Sequence, residues 1–287
     1  MRIQLFKKRL SRSPAVDILL LLFILTVALF MALPMVYAIS SSLKPSNELW
    51  LFPPRFFVRN PTTKNFRDLF VLMGDSWIPF SRYILNTLFI TAVGTAGHVI
   101  LASLCAYPLS CYRFPGTRAF FSLVVTSLMF STAVTAIPNY IIMARIGFID
   151  KYAALVIPAF GMSLGLFLMK QFMDQNVPRT LLEAADIDGA GEVTKFFRIV
   201  MPMVKPAWLT LTIFSVQSLW GIGNSSYIYS EQKKTLSYAF SQIQTAGVAR
   251  AGVGAAIGVI MMVVPVTVFI ITQSNIIETM ASSGIKE

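Results

Sequence analysis

"LLEAADIDGAGEVTKFFRIVMP", residues 181–202, is a charged, helix-prone island in a chain that is otherwise apolar. It holds Glu183, Asp186, Asp188, Glu192, Lys195 and Arg198 within a few turns. Its local grammar predicts two short helices. Pro178 suits a helical first turn, and "RTLLEAADID" consists mostly of helix formers. Gly189 then supplies a stop, because glycine adopts the left-handed conformation that ends helices. In the second helix Val193, Phe196, Phe197 and Val200 fall at i, i+3, i+4 and i+7, an apolar stripe, and Pro202 closes it.

Around this island the chain reads as membrane-embedded. Of its 287 residues 55% are hydrophobic and only 13% charged, against about 25% charged in soluble domains. The apolar residues fall in six blocks, Ile18 to Ile39, Tyr83 to Tyr107, Ala119 to Met143, Ala153 to Phe172, Ala207 to Gly223 and Gly254 to Gln273. Each is near the ~20 residues that cross a bilayer as a helix. None alternates as a barrel strand would. The expected fold class is therefore an all-α integral membrane protein with six transmembrane helices, each satisfying its own backbone hydrogen bonds.

The net charge of +11 points to anionic lipid headgroups rather than to nucleic acid. Arg2, Lys7, Lys8, Arg9 and Arg12 precede the first span, so residues 1–17 are expected as a cytoplasmic tail. Six spans return residues 277–287 to the same side. Residues 40–82 form an extracytoplasmic loop with six Lys and Arg, a length at which charge constrains topology weakly. That loop reads either as an ordered cap or as an irregular loop with interfacial aromatics. Residues 83–276 make up the transmembrane domain, with 174–202 as its cytoplasmic loop, while Ser225 to Val253 is polar and outside. The first block reads as a retained anchor, being too long for a signal peptide's apolar core and lacking an A-x-A site. Cys105 and Cys111 fit neither a disulfide framework nor a zinc pattern.

An amphipathic projection beside a membrane can lie on lipid, pack on its own chain, or dock into a soluble partner. Lipid-surface helices tend to be basic on their polar face. This one sets four acids against two bases, which favours a protein partner.

"EAADIDGAGEVTKFFRIVMP" resembles the EAA motif of permease subunits of bacterial ABC importers, with the pattern E-A-A, three residues, Gly, nine residues, Ile, any residue, Leu, Pro. Glu183, Ala184, Ala185, Gly189, Ile199 and Pro202 fall in place, and Met201 stands where Leu is usual. "NTLFITAVGTAGHVILASLCAYPLSCYRFPG" is similar to the family's second span, with Asn86, Ala106, Tyr107 and Phe114 in family-like places, and "IPNYIIMARIGFIDKYAALVIP" to the lead into the fourth. Together these look like the carbohydrate-import branch and its maltose-type second permease. Three features depart from it: Ser131 stands where a Pro is frequent, "GIGN" follows Trp220, and the tail reads "SSGIKE".

The resemblance implies a type I ABC importer transmembrane fold in a bacterial cell membrane. It implies a second permease, two copies of a cytoplasmic ATPase, and an extracytoplasmic binding protein that delivers an oligosaccharide. The chain itself would bind no cofactor, and ATP would be used by the partner ATPase. The island would be a coupling helix seated in an ATPase groove, with Glu183, Ala184, Ala185, Asp188, Gly189, Phe196, Phe197, Ile199 and Pro202 as coupling residues. Phe196 and Phe197 would be its apolar anchors. Glu183 would pair with an ATPase base or cap a helix in its own loop.

Other candidates stand beside structural readings. His98 is the only histidine and lies mid-span. An intramembrane ionisable group raises a functional question, yet with Gly94 and Gly97 beside it and no acid deep in a span, packing or hydrogen bonding is expected. Gly161 with Gly165, and Gly254 with Gly258, form small-xxx-small pairs that mark a seam either with a partner or within the chain. Gln217, Trp220 and Asn224 fall at i, i+3 and i+7 of the fifth span, a face either lining the substrate path or forming a polar seam. No Ser/His/Asp set, metal cluster or Walker loop is present, so no enzyme is expected. The competing transporter class, a self-contained carrier or channel, commonly shows buried ionisable groups, and a non-sugar solute remains the alternative cargo.

Overall fold

The structure is a computed structural model describing residues 14–74, 77–223, 226–245 and 250–283, with side chains from 15 to 273. The basic tail from Arg2 to Arg12, Asn224 and residues 284–287 lie outside the described residues. The described residues contain helices and turns and no strand. They divide into two compact units, residues 1–69 with 251–259, and residues 70–250 with 260–287.

The first unit begins with α1 (Pro14–Ser42), whose side chains are exposed almost all round. A helix apolar on every side belongs in lipid. The chain then turns through α2 (Ser46–Leu49) toward α3 (Lys64–Gly74). Buried polar groups order this loop. The Glu48 carboxylate accepts the backbone N–H groups of Arg59 (3.1 Å) and Asn60 (3.0 Å). Asn65 donates to the carbonyls of Ser42 and Lys44 at 2.8 Å each, and the Lys44 ammonium donates to Arg55 O. The loop from Ser42 to Asn65 is therefore mostly irregular in backbone but tied down by side-chain hydrogen bonds.

The second unit is built around α4 (Phe80–Cys111), which packs against α7 (Ala153–Phe160), α8 (Ser163–Asn176) and α12 (Lys205–Trp220). Small residues permit the approach. A Cβ on Gly94 would lie 2.6 Å from Leu219, and one on Gly97 would lie 2.0 Å from the Phe160 ring. His98 is buried beside them. Its Nδ1 lies 2.5 Å from Ser215 Oγ, and its Nε2 occupies the space a Cβ on Gly165 would need. That is the packing and hydrogen-bonding role expected of it. Gly165 thus serves packing within the chain, whereas Cβ atoms on Gly161 and Gly258 would meet little or nothing.

Among the described residues, four helices are long and apolar enough to cross a membrane, or up to six spans if each of two bent pairs counts as one. The expected span Ala119 to Met143 is broken. α5 (Thr117–Ser127) and α6 (Thr132–Ile146) meet at 108°, with Ser131 as the non-helical residue before α6. The fifth block is a 16-residue helix, α12, that meets the preceding helical run at 79°. The expected polar loop from Ser225 holds α13 (Leu236–Thr245). Leu236, Ala239, Phe240 and Ile243 of α13 are buried, and Leu236 N–H donates to Thr87 Oγ1 on α4. The last helix, α14 (Ala251–Ser283), runs through much of the expected C-terminal tail.

The end of α4 near Phe80 is held by polar contacts. Asn86 donates to the carbonyls of Gln232 (2.8 Å) and Lys234 (2.9 Å) and accepts from Tyr152 OH. Asp150, in the turn after α6, accepts from Tyr229 N–H, Ser230 N–H, the Ser230 hydroxyl and the Lys233 ammonium. These bonds, led by that of the Ser230 hydroxyl and then Lys233, hold its carboxyl well below the usual range.

Candidate coupling site

At the other end of α4 lies residues 174–202. α9 (Arg179–Ile187) starts after Pro178. Gly189 has φ +75° and follows the turn in which Asp188 N–H bonds Ala184 O and Gly189 N–H bonds Asp186 O. A Cβ at Gly189 would touch nothing, so the backbone conformation alone demands glycine there. The second helical run comprises α10 (Glu192–Thr194), a π-helical stretch Lys195–Val200, and α11 (Met201–Met203). It passes through Pro202 and turns at Val204, two residues later than expected.

The π-helical stretch splits the apolar stripe. Its i→i+5 hydrogen bonding widens the turn, so four-residue neighbours keep a common face while three-residue neighbours such as Phe197 and Val200 diverge. Phe196 (4% exposed) and Val200 point inward, while Val193 and Phe197 (61% exposed) point outward. Phe196 packs its ring edge-on against Tyr107 at 5.4 Å and belongs to a core with Ala106, Met173, Leu182 and Val204. The expectation that Phe196 is an outward anchor is therefore corrected. Burying an aromatic ring in its own core leaves no surface for another protein. Ile187 (88% exposed) joins Val193 and Phe197 as an exposed apolar side chain of the loop.

Of the remaining residues, Glu183, Ala184, Asp188 and Pro202 are exposed, Ile199 is half-buried and Ala185 is buried. Glu183 caps no helix of its loop, since neither α9 nor α10 has a side-chain cap.

Lys195 joins the two helices. Its side chain is almost wholly buried, and its ammonium lies 2.6 Å from Asp186 on α9 and 2.5 Å from Glu192 on α10. It also donates to Tyr112 OH at 3.2 Å. Glu192 in turn accepts from Tyr112 OH (2.5 Å) and Tyr107 OH (2.9 Å). The bonds to Asp186, then Glu192, raise the Lys195 ammonium above its ordinary range. Lys195, then Tyr112, lowers the Glu192 carboxyl. The loop is thus one braced body tied to the end of α4. Sequence reasoning named Lys195 only as one of the island's charges and Tyr107 only as a family-like position, gave neither a role, and did not single out Tyr112. The available signal was a lysine with acids three and nine residues before it.

Of the face expected from Gln217, Trp220 and Asn224, Asn224 lies outside the described residues and the other two differ in environment. Gln217 is exposed, but Trp220 is 5% exposed and its indole N–H donates to Met261 O at 3.0 Å. A buried indole N–H needs an acceptor, and α14 supplies one.

A chain whose apolar helices are bent and packed around a central one, and which projects a braced helix pair from one end, belongs to the class of multi-pass membrane transport subunits. The sequence profile described as "Binding-protein-dependent transport system inner membrane component" matches residues 98–280, and the chain belongs to that family. Among relatives, the polygalacturonan/rhamnogalacturonan transport system permease protein YtcP of Bacillus subtilis is 32% identical over 213 residues, 74% of this chain and 72% of that one. The melibiose/raffinose/stachyose import permease protein MelC of the same organism is 27% identical over 97% of this chain and 99% of its own. A permease chain solved within a bacterial ABC transporter that imports the acidic polysaccharide alginate aligns with a TM-score of 0.75. It covers 93% of this chain and 99% of that one at 21% identity, a likeness of fold. This protein is an ABC importer permease subunit, a multi-pass membrane protein and not itself an enzyme.

Proposed function

We propose that the chain pairs with a second permease to form the path for a carbohydrate handed over by an extracytoplasmic binding protein, with two copies of a cytoplasmic ATPase supplying ATP hydrolysis. The observation that carries the coupling part is the braced EAA loop. A helix pair locked by Lys195 moves as one body. Closure of an ATPase dimer, drawing on the exposed Phe197, Val193 and Ile187, then transmits to α4 and α12 without being absorbed in a flexible loop. Gly189, with Glu183 and Asp188 exposed beside it, shapes the tip that enters the ATPase groove. The carbohydrate class rests on the names of the relatives above. A shorter match, 32% over 155 residues, to the sn-glycerol-3-phosphate transport system permease protein UgpE of Yersinia pestis favours a non-sugar cargo as the second reading.

In this reading both termini and residues 174–202 face the cytoplasm. On the path side, Gln217 and Phe214 are exposed on α12 and are the candidates that replace the three-residue face. Reconstituted transporter with its binding protein, offered labelled oligosaccharides and glycerol phosphate in parallel, tests the cargo. Uptake of glycerol phosphate alone would overturn the carbohydrate reading. Labelling of a cysteine at Glu192 by an impermeant reagent on intact cells would overturn the orientation.

A further inference from the structure

Beside the coupling loop lies a cavity of about 1070 Å³, at the upper end of the about 300–1,000 Å³ typical of ligand sites. It is formed where α4 ends, α5 begins, α8 ends and α9 begins. Arg113, Arg118, Lys170 and Arg179 line it, against one carboxylate, Asp174. That carboxylate is already satisfied. One oxygen accepts from Ser110 Oγ at 2.6 Å and the other pairs with the Lys170 ammonium at 2.5 Å. Lys170 also lies over the Phe121 ring, 4.4 Å from its centroid. The side chains of Arg113, Arg118 and Arg179 have no ion pair or hydrogen bond among the described residues.

Arg113, Arg118 and Arg179 line this one cavity and are exposed, so their like charges favour an anion there. The backbone adds to the same field. α5 and α9, of 11 and 9 residues, both start at the cavity without a side-chain cap. Their first-turn N–H groups and positive dipole ends favour negative charge there. Arginine's planar fork matches phosphate oxygens in pairs. The acceptor chemistry that satisfies this arrangement is a phosphate ester.

The position selects its source. The walls are the last turns of the candidate spans Phe80–Cys111 and Ala153–Asn176, so the cavity sits at the level of a membrane surface. Phe114 on its rim and Phe120 and Leu123 on α5 are exposed, apolar surface of the kind acyl chains cover. A free phosphate ion would fill little of the volume and would leave those side chains bare. We propose that this cavity binds the phosphate headgroup of an anionic phospholipid from the leaflet on the coupling-loop side. The lipid would thereby be held against the base of the loop that begins at Pro178. Only the naming of that leaflet as the cytoplasmic one rests on the coupling reading above.

The test uses the purified transporter with both permeases, in detergent, by native mass spectrometry and thermal unfolding. The probes are phosphatidylglycerol, phosphatidylcholine and inorganic phosphate. Wild type should retain phosphatidylglycerol and be stabilised by it and not by phosphatidylcholine. Retention should fall roughly fivefold for each arginine removed in R113Q, R118Q and R179Q. The corresponding Arg→Lys variants should keep most of it, and they also report whether a neutral variant has simply misfolded. Equal retention in wild type and the triple Gln variant would overturn the proposal. So would equal stabilisation by inorganic phosphate alone, which would make the cavity a free-anion site. Loss of the ATPase from the triple variant with lipid retention unchanged would make it a protein-docking face and overturn it too. Phe197→Ala, which leaves the cavity intact, separates these results from a failure of coupling. It should lose ATPase and keep lipid.

Discussion

Phe196 and Phe197 are adjacent in sequence, identical in chemistry and opposite in environment, so truncating each to alanine isolates what each does. Phe196 is 4% exposed and packs on Tyr107 within the core that joins α4, α8, α9 and α12. Removing a buried phenylalanine ring costs about 3–5 kcal/mol, and the edge-on contact with Tyr107 places the loss toward the upper part of that range. Phe196→Ala should therefore lower the thermal midpoint of the purified permease and its yield in membranes. Phe197 is 61% exposed. If a partner covers about 60% of a ~200 Å² side chain, about 120 Å² leaves water. At about 25 cal/mol per Å² this gives an upper limit near 3 kcal/mol, on the order of a hundredfold in affinity. Phe197→Ala should leave the midpoint of the isolated permease within about 0.5 kcal/mol of wild type, while ATPase recovery in co-purification drops by tenfold or more. The assay pairs a thermal scan of permease in detergent with quantitative co-purification of the ATPase. A result in which Phe196→Ala loses ATPase at unchanged stability, or Phe197→Ala keeps full ATPase recovery, would refute the assignment of faces.

Three further outcomes follow from the geometry. Gly189→Val places a β-branched residue at φ +75°, a strain on the order of 1–3 kcal/mol. Transport should fall while membrane insertion persists, and normal uptake kinetics would remove the requirement for that turn. Asp150 has a folded-state pKa depressed by the Ser230 hydroxyl and Lys233. Its clamp therefore stabilises fully above the unfolded pKa of about 3.9 and weakens only as pH falls through the lower folded value. Protease protection of residues 227–234 should accordingly be flat from neutral pH to about pH 5 and be reduced across that whole window in Asp150→Asn; a wild-type loss of protection between neutral pH and pH 5 would contradict the clamp. Trp220→Ala should destabilise α12 against α14 by about 3–5 kcal/mol, whereas Gln217→Ala should leave stability unchanged and alter uptake. A stable Trp220→Ala variant with a raised KM would return Trp220 to the path.

The amino-acid sequence by itself settled the class of this protein. Apolar blocks of span length determine that the chain lives in lipid, because a bilayer admits only segments that satisfy their own backbone. Gly189 between two runs of helix formers determined the turn that joins the two short helices, because a positive-φ turn after one short helix is a local requirement written in local residues. What the tertiary structure alone decided is direction. The pattern of Val193, Phe196, Phe197 and Val200 reads as one stripe at the α-helical period, but a π-helical stretch divides it, and that conformation is set by the core into which Phe196 and Val200 pack. The same holds for Lys195, which looks like a surface charge until α9 and the end of α4 bring Asp186, Tyr107 and Tyr112 around it. It holds for Trp220, whose side chain turns toward a carbonyl forty-one residues away. Periodicity measures an angle about one helix axis, and which neighbour occupies that angle is a property of the packed molecule.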